Sequence, residues 1–291
     1  MNASRHALSP RAWVLLKSGK RLDLLHPHPM AWDDADLATG LARTYRWGGH
    51  SQWDLPLSVA QHSMTVLALS VAQAPRPLTA GERLRELLHD AEEALIGGFD
   101  PISPLKPHLG EGYRLLTARL TQAVAHRYRL PDWTTESHAA HKRADQLAAA
   151  SEAAHVVGWS LSDIRYSLRI GAEPLETDPI ATPPGMRPWE PWLPKLAASL
   201  FLDTLRELRD QAADELPPCR AGVAPYPQPA MTRATFVSVE SGHGMGHLEG
   251  EIVGGVREED GSWDLDGVFI LRTERGDLVN IDGWCCLTEV R

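Results

Sequence analysis

Four side chains with metal-binding chemistry are spread over three helix-like stretches of the sequence. His62 lies in "SVAQHSMTVLALSVAQ", residues 58–73, on or near the apolar face that such a helix buries. His89 and Asp90 are adjacent in "LLHDAEEA", and Asp145 lies in the alanine-rich "HAAHKRADQLAAASEAA". Charged groups among apolar residues are rare unless they are paired or bind a metal. Two imidazoles and two carboxylates form a mixed nitrogen and oxygen set, which suits a divalent transition metal such as Mn, Co, Fe or Zn.

Each of these residues also has a purely structural interpretation. A single buried histidine is commonly satisfied by a hydrogen bond, Asp145 could be a solvated helix acid, and the pair His89–Asp90 could lie on a surface. Consecutive residues of a helix point about 100° apart, so one ion reaches both members of the pair only near the edge between their directions. A metal site therefore requires ligands from other helices, as in the metal sites of helical bundles.

The order of these motifs resembles the HD-domain phosphohydrolases, which are named after a His-Asp doublet. The matching segments, "RWGGH", "SVAQHS", "LLHDAEEALIGG", "PISPLK" and "HKRAD", fall between residues 11 and 165. The resemblance is closest to the branch of bacterial 5′-deoxyribonucleotidases and phage deoxynucleoside triphosphate hydrolases. It implies a helical fold and hydrolysis of phosphate esters with a divalent transition metal, with Mg²⁺ as the candidate for a second ion. The positions that match the family's metal ligands are His62, His89, Asp90 and Asp145.

Two carboxylates are the candidate catalytic groups. Glu93 follows His89 by four residues, on the same face of a continuous helix, where a carboxylate can orient or deprotonate a water molecule. The resembled family places an acidic residue there too. Asp100 aligns with the Asp of a family "GD" dipeptide only through a two-residue insertion, because this chain reads "GGFD". By contrast, Glu92 is expected to point away from the site into solvent.

Three cations and one aromatic residue are the candidate substrate contacts. Arg46, in "YRWGGH", corresponds to a substrate-side Arg of the resembled family, and its planar guanidinium suits phosphate oxygens. Lys106 lies on the loop after the His-Asp motif. Lys142 precedes Asp145 by one helical turn, so it would either contact phosphate or form a salt bridge. Trp47 would stack on a base or close the pocket, or else pack in the core.

The composition limits the class of protein and of partner. Of 291 residues, 43% are hydrophobic and 23% charged, as expected for a soluble globular protein. The excess of 38 acidic over 29 basic residues argues against a surface that coats nucleic acid, so the expected partner is a small-molecule nucleotide. Three cysteines without a CxxC pair favour a reducing, cytoplasmic setting. No apolar run is long enough to span a membrane, so no membrane partner is expected. The resemblance implies a homo-oligomer.

The predicted fold class is mainly α. We expect a β-hairpin over residues 11–26, and helices over 33–43, 58–73, 78–98, 110–129, 134–157 and 194–211. After residue 212 the composition changes. The predicted organisation is an HD-type helical bundle over 1–212, a Pro-rich linker over 213–230 and a small antiparallel β-domain of unknown role over 231–291.

The leading expectation for function is a nucleotidase that releases inorganic phosphate from (deoxy)nucleoside 5′-monophosphates. Two other reactions stay open within the resembled class: release of triphosphate from a nucleoside triphosphate, and hydrolysis of a cyclic or signalling nucleotide. The alternatives from other classes are a catalytically silent nucleotide-binding sensor or interaction protein, and a helical scaffold whose His-Asp pair is structural.

Overall fold

The computed structural model describes residues 12–215 and the backbone of five later strands, over 236–241, 247–255, 269–273, 278–281 and 285–290. The chain divides into two compact units, Met1–Pro217 and Pro218–Arg291. The first is mainly helical and begins with a two-stranded antiparallel hairpin, which confirms these two predictions. In this hairpin β1 (Trp13–Leu15) pairs with β2 (Arg21–Asp23).

Eight α-helices follow the hairpin in the described part of the chain. Their bounds are α1 Asp34–Leu41, α2 Val59–Gln73, α3 Ala80–Leu87, α4 Ala91–Leu95, α5 Gly110–Tyr128, α6 Thr135–Glu152, α7 Leu161–Tyr166 and α8 Pro194–Glu215. Short 3₁₀ turns lie at Arg46–Gly49 and Lys106–Leu109, and a π-helical turn, Ala153–Val157, follows α6. None of the described helices is long and apolar enough to cross a bilayer.

Hydroxyl side chains fix the first turn of several helices. Ser58 accepts a hydrogen bond from the backbone N–H of Gln61 at the start of α2, at 3.2 Å. Thr79 accepts one from the backbone N–H of Glu82 at the start of α3, and the Glu82 carboxylate accepts in return from the backbone of Thr79. These caps satisfy backbone N–H groups that lack a partner inside the helix, so the helix starts are set locally by the sequence.

One large apolar core holds this unit together. It contains buried residues from α1, α3, α5 and α8, among them Leu37, Leu87, Leu120 and Phe201. A second apolar cluster joins α2 to α6 through Val66, Leu69, Ala144 and Ala148. The second cluster places the helix that carries His62 directly against the helix that carries Asp145.

Three predicted element boundaries are wrong. The helix expected over 78–98 is two helices, because the backbone leaves helical geometry at Leu88 and Asp90. The helix expected over 134–157 ends its α-helical part at Glu152 and continues as the π-helical turn. Helix α8 continues to Glu215, past the helix end predicted at residue 211.

Five strands in the second unit pair antiparallel in the order β6-β5-β4-β3-β7. They are β3 Phe236–Ser241, β4 His247–Gly255, β5 Phe269–Thr273, β6 Leu278–Ile281 and β7 Cys285–Val290. Most of the predicted linker, from residue 216 onward, lies outside the described residues.

Candidate metal centre and its cavity

The four predicted ligand side chains meet at one place in the helical unit. Nε2 of His62 lies 3.3 Å from Nε2 of His89 and 3.6 Å from Oδ2 of Asp90. The same Nε2 atom lies 3.4 Å from Oδ1 of Asp145. Nε2 of His89 lies 3.1 Å from Oδ2 of Asp90. Residues from α2 and from the turn between α3 and α4 thus present three donor atoms to one small volume, and Asp145 of α6 lies beside His62.

The break between α3 and α4 lets adjacent residues both face this volume. Asp90 has φ −113° and ψ 23°, which takes the chain out of helical geometry directly after His89. Nδ1 of His89 donates a hydrogen bond to the backbone oxygen of Glu86, at 2.8 Å, which fixes the ring. The limit that a regular helix sets on two consecutive ligands does not apply at a turn of this kind.

The donor set fits a divalent transition metal. His62, His89 and Asp90 form a group that could hold a metal ion. Each imidazole uses Nδ1 as a hydrogen-bond donor, and this tautomer leaves the Nε2 lone pair free for a metal. Ligands about 2.1 Å from an ion lie roughly 3.0–3.4 Å from one another, which is close to the observed spacing.

The electrostatics of the cluster keep its carboxylates charged. Burial by itself would raise the pKa of Asp90 and of Asp145, but the imidazoles of His62 and His89 lower both pKa values far below the ordinary range. Burial and the nearby Arg46 lower the pKa of His62, yet Glu152 and Asp145 outweigh them and raise it to about 9. Without an ion, an imidazolium therefore supplies the positive charge that the carboxylates require.

Arg46 lies among the carboxylates around this centre. Its Nε atom donates to Oε2 of Glu152 at 3.2 Å, and its Nη1 atom lies 3.5 Å from Oδ2 of Asp100 and 3.9 Å from Oδ2 of Asp90. The side chain is 14% exposed. Arg46 thus links Asp100 to the predicted ligands, and its guanidinium reaches the edge of the cavity described below.

Trp47 combines packing with a polar contact. The indole packs against an apolar cluster that includes Ala150, Ala153 and Ile164, and its N–H donates to Oε2 of Glu152 at 3.2 Å. Its backbone has φ 58°, a left-handed conformation that side chains other than glycine rarely adopt. Trp47 also borders the cavity. The two roles that the sequence left as alternatives, packing in the core and lining the pocket, are therefore both present.

Glu93 is a buried acid beside Lys106. Its side chain is 1% exposed, and Oε1 accepts a hydrogen bond from Nζ of Lys106 at 3.2 Å. Oε2 is buried, and no described residue hydrogen-bonds to it. Burial, together with the charges of Asp90 and Asp100, raises the pKa of Glu93 to about 10. Glu93 can therefore hold a proton at neutral pH.

Two side chains beside the centre differ in their exposure. Lys142 is exposed, and its Nζ atom lies 3.2 Å from Oδ2 of Asp145, which is the salt bridge that the sequence left open beside phosphate contact. Glu92 is half-buried rather than a solvated acid, so that expectation is wrong. Burial and the charge of Asp90 raise the pKa of Glu92 to about 7. The break at Asp90 accounts for the burial of Glu92, because it changes the direction in which that side chain points.

A cavity of about 940 Å³ opens next to the centre. Seven of the predicted residues line it: Arg46, Trp47, Asp90, Asp100, Lys106, Lys142 and Asp145. The segment after α6 contributes Trp159, Ser160 and Arg169, which the sequence analysis did not single out. Within the described residues, Arg169 forms no ion pair. The volume is near the upper end of the range found for small-molecule sites, so the cavity is large enough for a nucleotide.

Glu152 is the site residue that sequence reasoning missed. It is 2% exposed and accepts a hydrogen bond from Nδ1 of His62 at 2.5 Å, besides its contacts with Arg46 and Trp47. Burial by itself would raise its pKa, but His62 and Arg46 lower it below the ordinary value. The available signal was its spacing: Glu152 follows Asp145 by seven residues, which is two turns along the same face of an alanine-rich helix.

The chain is 43% identical over 151 residues to an uncharacterized protein from Rhodobacter capsulatus. The matching region covers 52% of this chain and 76% of that protein. No protein-family model matches the chain.

Proposed function

We propose that this chain, which belongs to one family with the uncharacterized Rhodobacter capsulatus protein, is a divalent-metal-dependent phosphohydrolase that releases inorganic phosphate from (deoxy)nucleoside 5′-monophosphates. The observation that carries the proposal is the convergence of three metal-type donor atoms, with the Asp145 carboxylate 3.4 Å from one of them, beside a cavity that also contains cations. The resemblance of the ordered motifs to the HD-domain phosphohydrolases supports the same reaction class.

His62, His89, Asp90 and Asp145 would hold the metal. A divalent ion there supplies Lewis-acid polarisation of a phosphoryl oxygen and lowers the pKa of a water molecule. Two neutral imidazoles and two carboxylates leave the bound ion without excess positive charge. Mg²⁺ is the candidate for a second ion, but the described residues form no second group of ligands that could hold it.

Arg46 and Lys106 would bind the phosphate. The Arg46 guanidinium is already desolvated and held by carboxylates, so it is oriented before a substrate arrives. Lys106 is 38% exposed at its side chain and lies on the cavity wall, where its ammonium can contact both Glu93 and a phosphate oxygen. Lys142 is more exposed and lies farther from the buried groups, so its contribution is to attract anions.

Glu93 would carry the proton in the reaction. A water oxygen forms a bond to phosphorus, the bond from phosphorus to the 5′ oxygen breaks, and the leaving oxygen takes up a proton. A buried carboxyl group that holds a proton at neutral pH can donate it to the leaving 5′ oxygen, and the carboxylate formed then takes up the proton that the attacking water loses. Asp100 would assist by orienting Arg46 and by raising the proton affinity of Glu93.

The size of the cavity favours a second candidate, a triphosphohydrolase that releases triphosphate from a nucleoside triphosphate. The volume of about 940 Å³ has room for a nucleoside with a longer phosphate chain. Arg169 adds a cation on the same wall that lies outside the ion-pair network described above. A longer phosphate chain would use both this residue and Lys142.

A panel of nucleotides separates these functions. Mono-, di- and triphosphates of all bases, in ribose and deoxyribose forms, are incubated with the full chain and Mn²⁺, Co²⁺ or Mg²⁺, and phosphate, pyrophosphate and triphosphate are resolved. Inorganic phosphate from monophosphates supports the nucleotidase, and triphosphate supports the second candidate. Nucleotide binding without any product would refute both and would identify a silent sensor.

A further inference from the structure

We infer that Glu152 is the positioning residue of this site: it fixes the ring of His62 for metal binding and holds the Arg46–Trp47 loop, so that one buried carboxylate orients both the metal ligand and the substrate contact. The inference rests on the proposed function, in which His62 binds the metal and the loop that carries Arg46 and Trp47, the substrate loop, contacts the substrate. It concerns a residue that touches neither the metal nor the substrate.

The contacts of Glu152 divide between its two oxygen atoms. Oε1 accepts from Nδ1 of His62 at 2.5 Å. Oε2 accepts from Nε of Arg46 and from Nε1 of Trp47, both at 3.2 Å. An ionised carboxylate can only accept, so His62 must carry a proton on Nδ1, and Nε2 is the nitrogen that can bind a metal once the ring is neutral. This is the carboxylate–histidine arrangement that orients metal ligands in other proteins.

The substrate loop depends on the same carboxylate. Trp47, Gly48 and Gly49 have φ values of 58°, 63° and 79°, so the loop follows three consecutive left-handed positions. Trp47 keeps such a conformation only where its surroundings hold it. Burial of its ring and the hydrogen bond of its indole N–H to Glu152 provide that hold. Arg46 precedes Trp47 directly, so a movement of this loop also moves the guanidinium.

Replacing the Glu152 carboxylate by an amide distinguishes a role in positioning His62 and Arg46 from a role in filling space. Glutamine has the same shape, but only its oxygen atom accepts, while its nitrogen atom donates two hydrogen bonds. In Glu152→Gln the amide can accept from His62 or from Arg46 and Trp47, and its nitrogen then faces another donor. One of the two contacts is therefore lost, although the volume of the side chain is unchanged.

The test is Mn²⁺ titration calorimetry on the full chain together with thermal unfolding and nucleotide kinetics. Glu152→Gln is expected to weaken Mn²⁺ affinity about 10- to 100-fold, the usual effect of losing a partner of a metal ligand, and to raise KM. The matched control is Asp34→Asn, which loses a buried carboxylate bonded to Arg127 and Arg209, neither of which belongs to the site. It should lower the melting temperature and leave Mn²⁺ affinity unchanged.

Glu152→Asp provides a second variant if the amide prevents folding. It keeps the charge but is one methylene shorter, so it cannot reach His62 and Trp47 together, and it should also weaken Mn²⁺ binding. Unchanged Mn²⁺ affinity in a folded Glu152 variant would overturn the inference. If the wild type binds Mn²⁺ but hydrolyses no nucleotide, the proposed function fails while the affinity comparison still tests Glu152. A wild type that binds no transition metal would refute both.

Discussion

The two imidazoles of the centre are oriented in different ways. His62 donates from Nδ1 to a carboxylate at 2.5 Å, whereas His89 donates to a backbone oxygen at 2.8 Å. A charged acceptor makes the ligand more basic and can be removed by one substitution, but a backbone oxygen cannot. Mutation of Glu152 can therefore test how His62 is oriented, whereas the orientation of His89 depends on the turn between α3 and α4.

Glu93→Gln should abolish most turnover and leave the metal bound. The amide retains the shape of the buried side chain and can still accept from Lys106, but it cannot carry a proton, so kcat should fall by a factor of about 10²–10⁴. The measurement is kcat for the active nucleotide, with metal content by elemental analysis. Glu111→Gln, an exposed acid of α5, is the control and should match the wild type. Full activity of Glu93→Gln would refute the role of this residue.

At the scale of elements, helix α4 is packed tightly against α1. A Cβ atom built on Gly40 of α1 would lie 2.8 Å from the Cβ atom of Ala94 in α4. Because that atom is bonded directly to the backbone, it cannot rotate away. The close approach of the two helices helps to hold the short helix that carries Glu93, and only glycine permits it.

Gly40→Ala should therefore destabilise the protein by roughly 1–3 kcal/mol, although alanine favours a helix more than glycine does. Gly112→Ala in α5 is the matched control, because a Cβ atom there meets nothing within 4 Å. It should stabilise by up to about 1 kcal/mol. Urea unfolding of both variants measures the difference, and two changes of the same sign would contradict the close packing of α1 and α4.

The start of α3 should make stability depend on acid. The hydrogen bond from Arg76 lowers the pKa of Glu82 to about 2, although burial acts in the opposite direction. The unfolded value is about 4.5, so the unfolded state binds the proton more tightly. The stabilising contribution is complete above pH 4.5 and is lost as the pH falls toward 2.

The difference in unfolding free energy between the wild type and Glu82→Gln should thus be about 0.5–1 kcal/mol at pH 7 and should shrink as the pH falls below 4.5. Urea unfolding at pH 7, 5 and 3.5 measures it. Glu136→Gln at the start of α6 is exposed, lacks an Arg partner in the described structure and should show a smaller pH dependence. A difference that is constant between pH 7 and 3.5 would contradict the ion pair at the start of α3.

At the scale of the whole helical unit, folding gathers carboxylates that repel one another. Asp90, Asp100, Asp145 and Glu152 surround Arg46, and each is close enough to raise its pKa. The packing of α2 on α6 holds these groups together regardless of their charge. A divalent cation at the donor atoms would relieve this repulsion only in the folded state.

Added metal should therefore stabilise the protein by mass action. Mn²⁺ at about 100 times its dissociation constant is expected to raise the free energy of unfolding by about 2.7 kcal/mol, provided that the unfolded chain does not bind it. Urea unfolding with Mn²⁺ and with a chelator gives this difference. Asp145→Asn should reduce it strongly, and an equal response of the variant and the wild type would place the metal elsewhere.

Local patterns account for the parts of this protein that the sequence predicts well. The hairpin, the caps at Ser58 and Thr79, and most helices depend on neighbouring residues, so they can be inferred without a structure. The resemblance to the HD-domain phosphohydrolases, rather than a local pattern, predicts His62, His89, Asp90 and Asp145 as one set of ligands. Local patterns did not reveal the break at Leu88–Asp90, because the residues on both sides favour a helix.

By itself, then, the sequence determined a mainly helical unit and predicted which residue types could hold a metal. Only the tertiary structure decided that Glu152 supports His62, that Arg46 is held by carboxylates, and that Glu92 is half-buried. The physical reason is that helix periodicity reports the face on which a residue lies, whereas hydrogen-bond partners and burial depend on which other helix covers that face. Glu152 and His62 are 90 residues apart, and the packing of α2 on α6 brings them together.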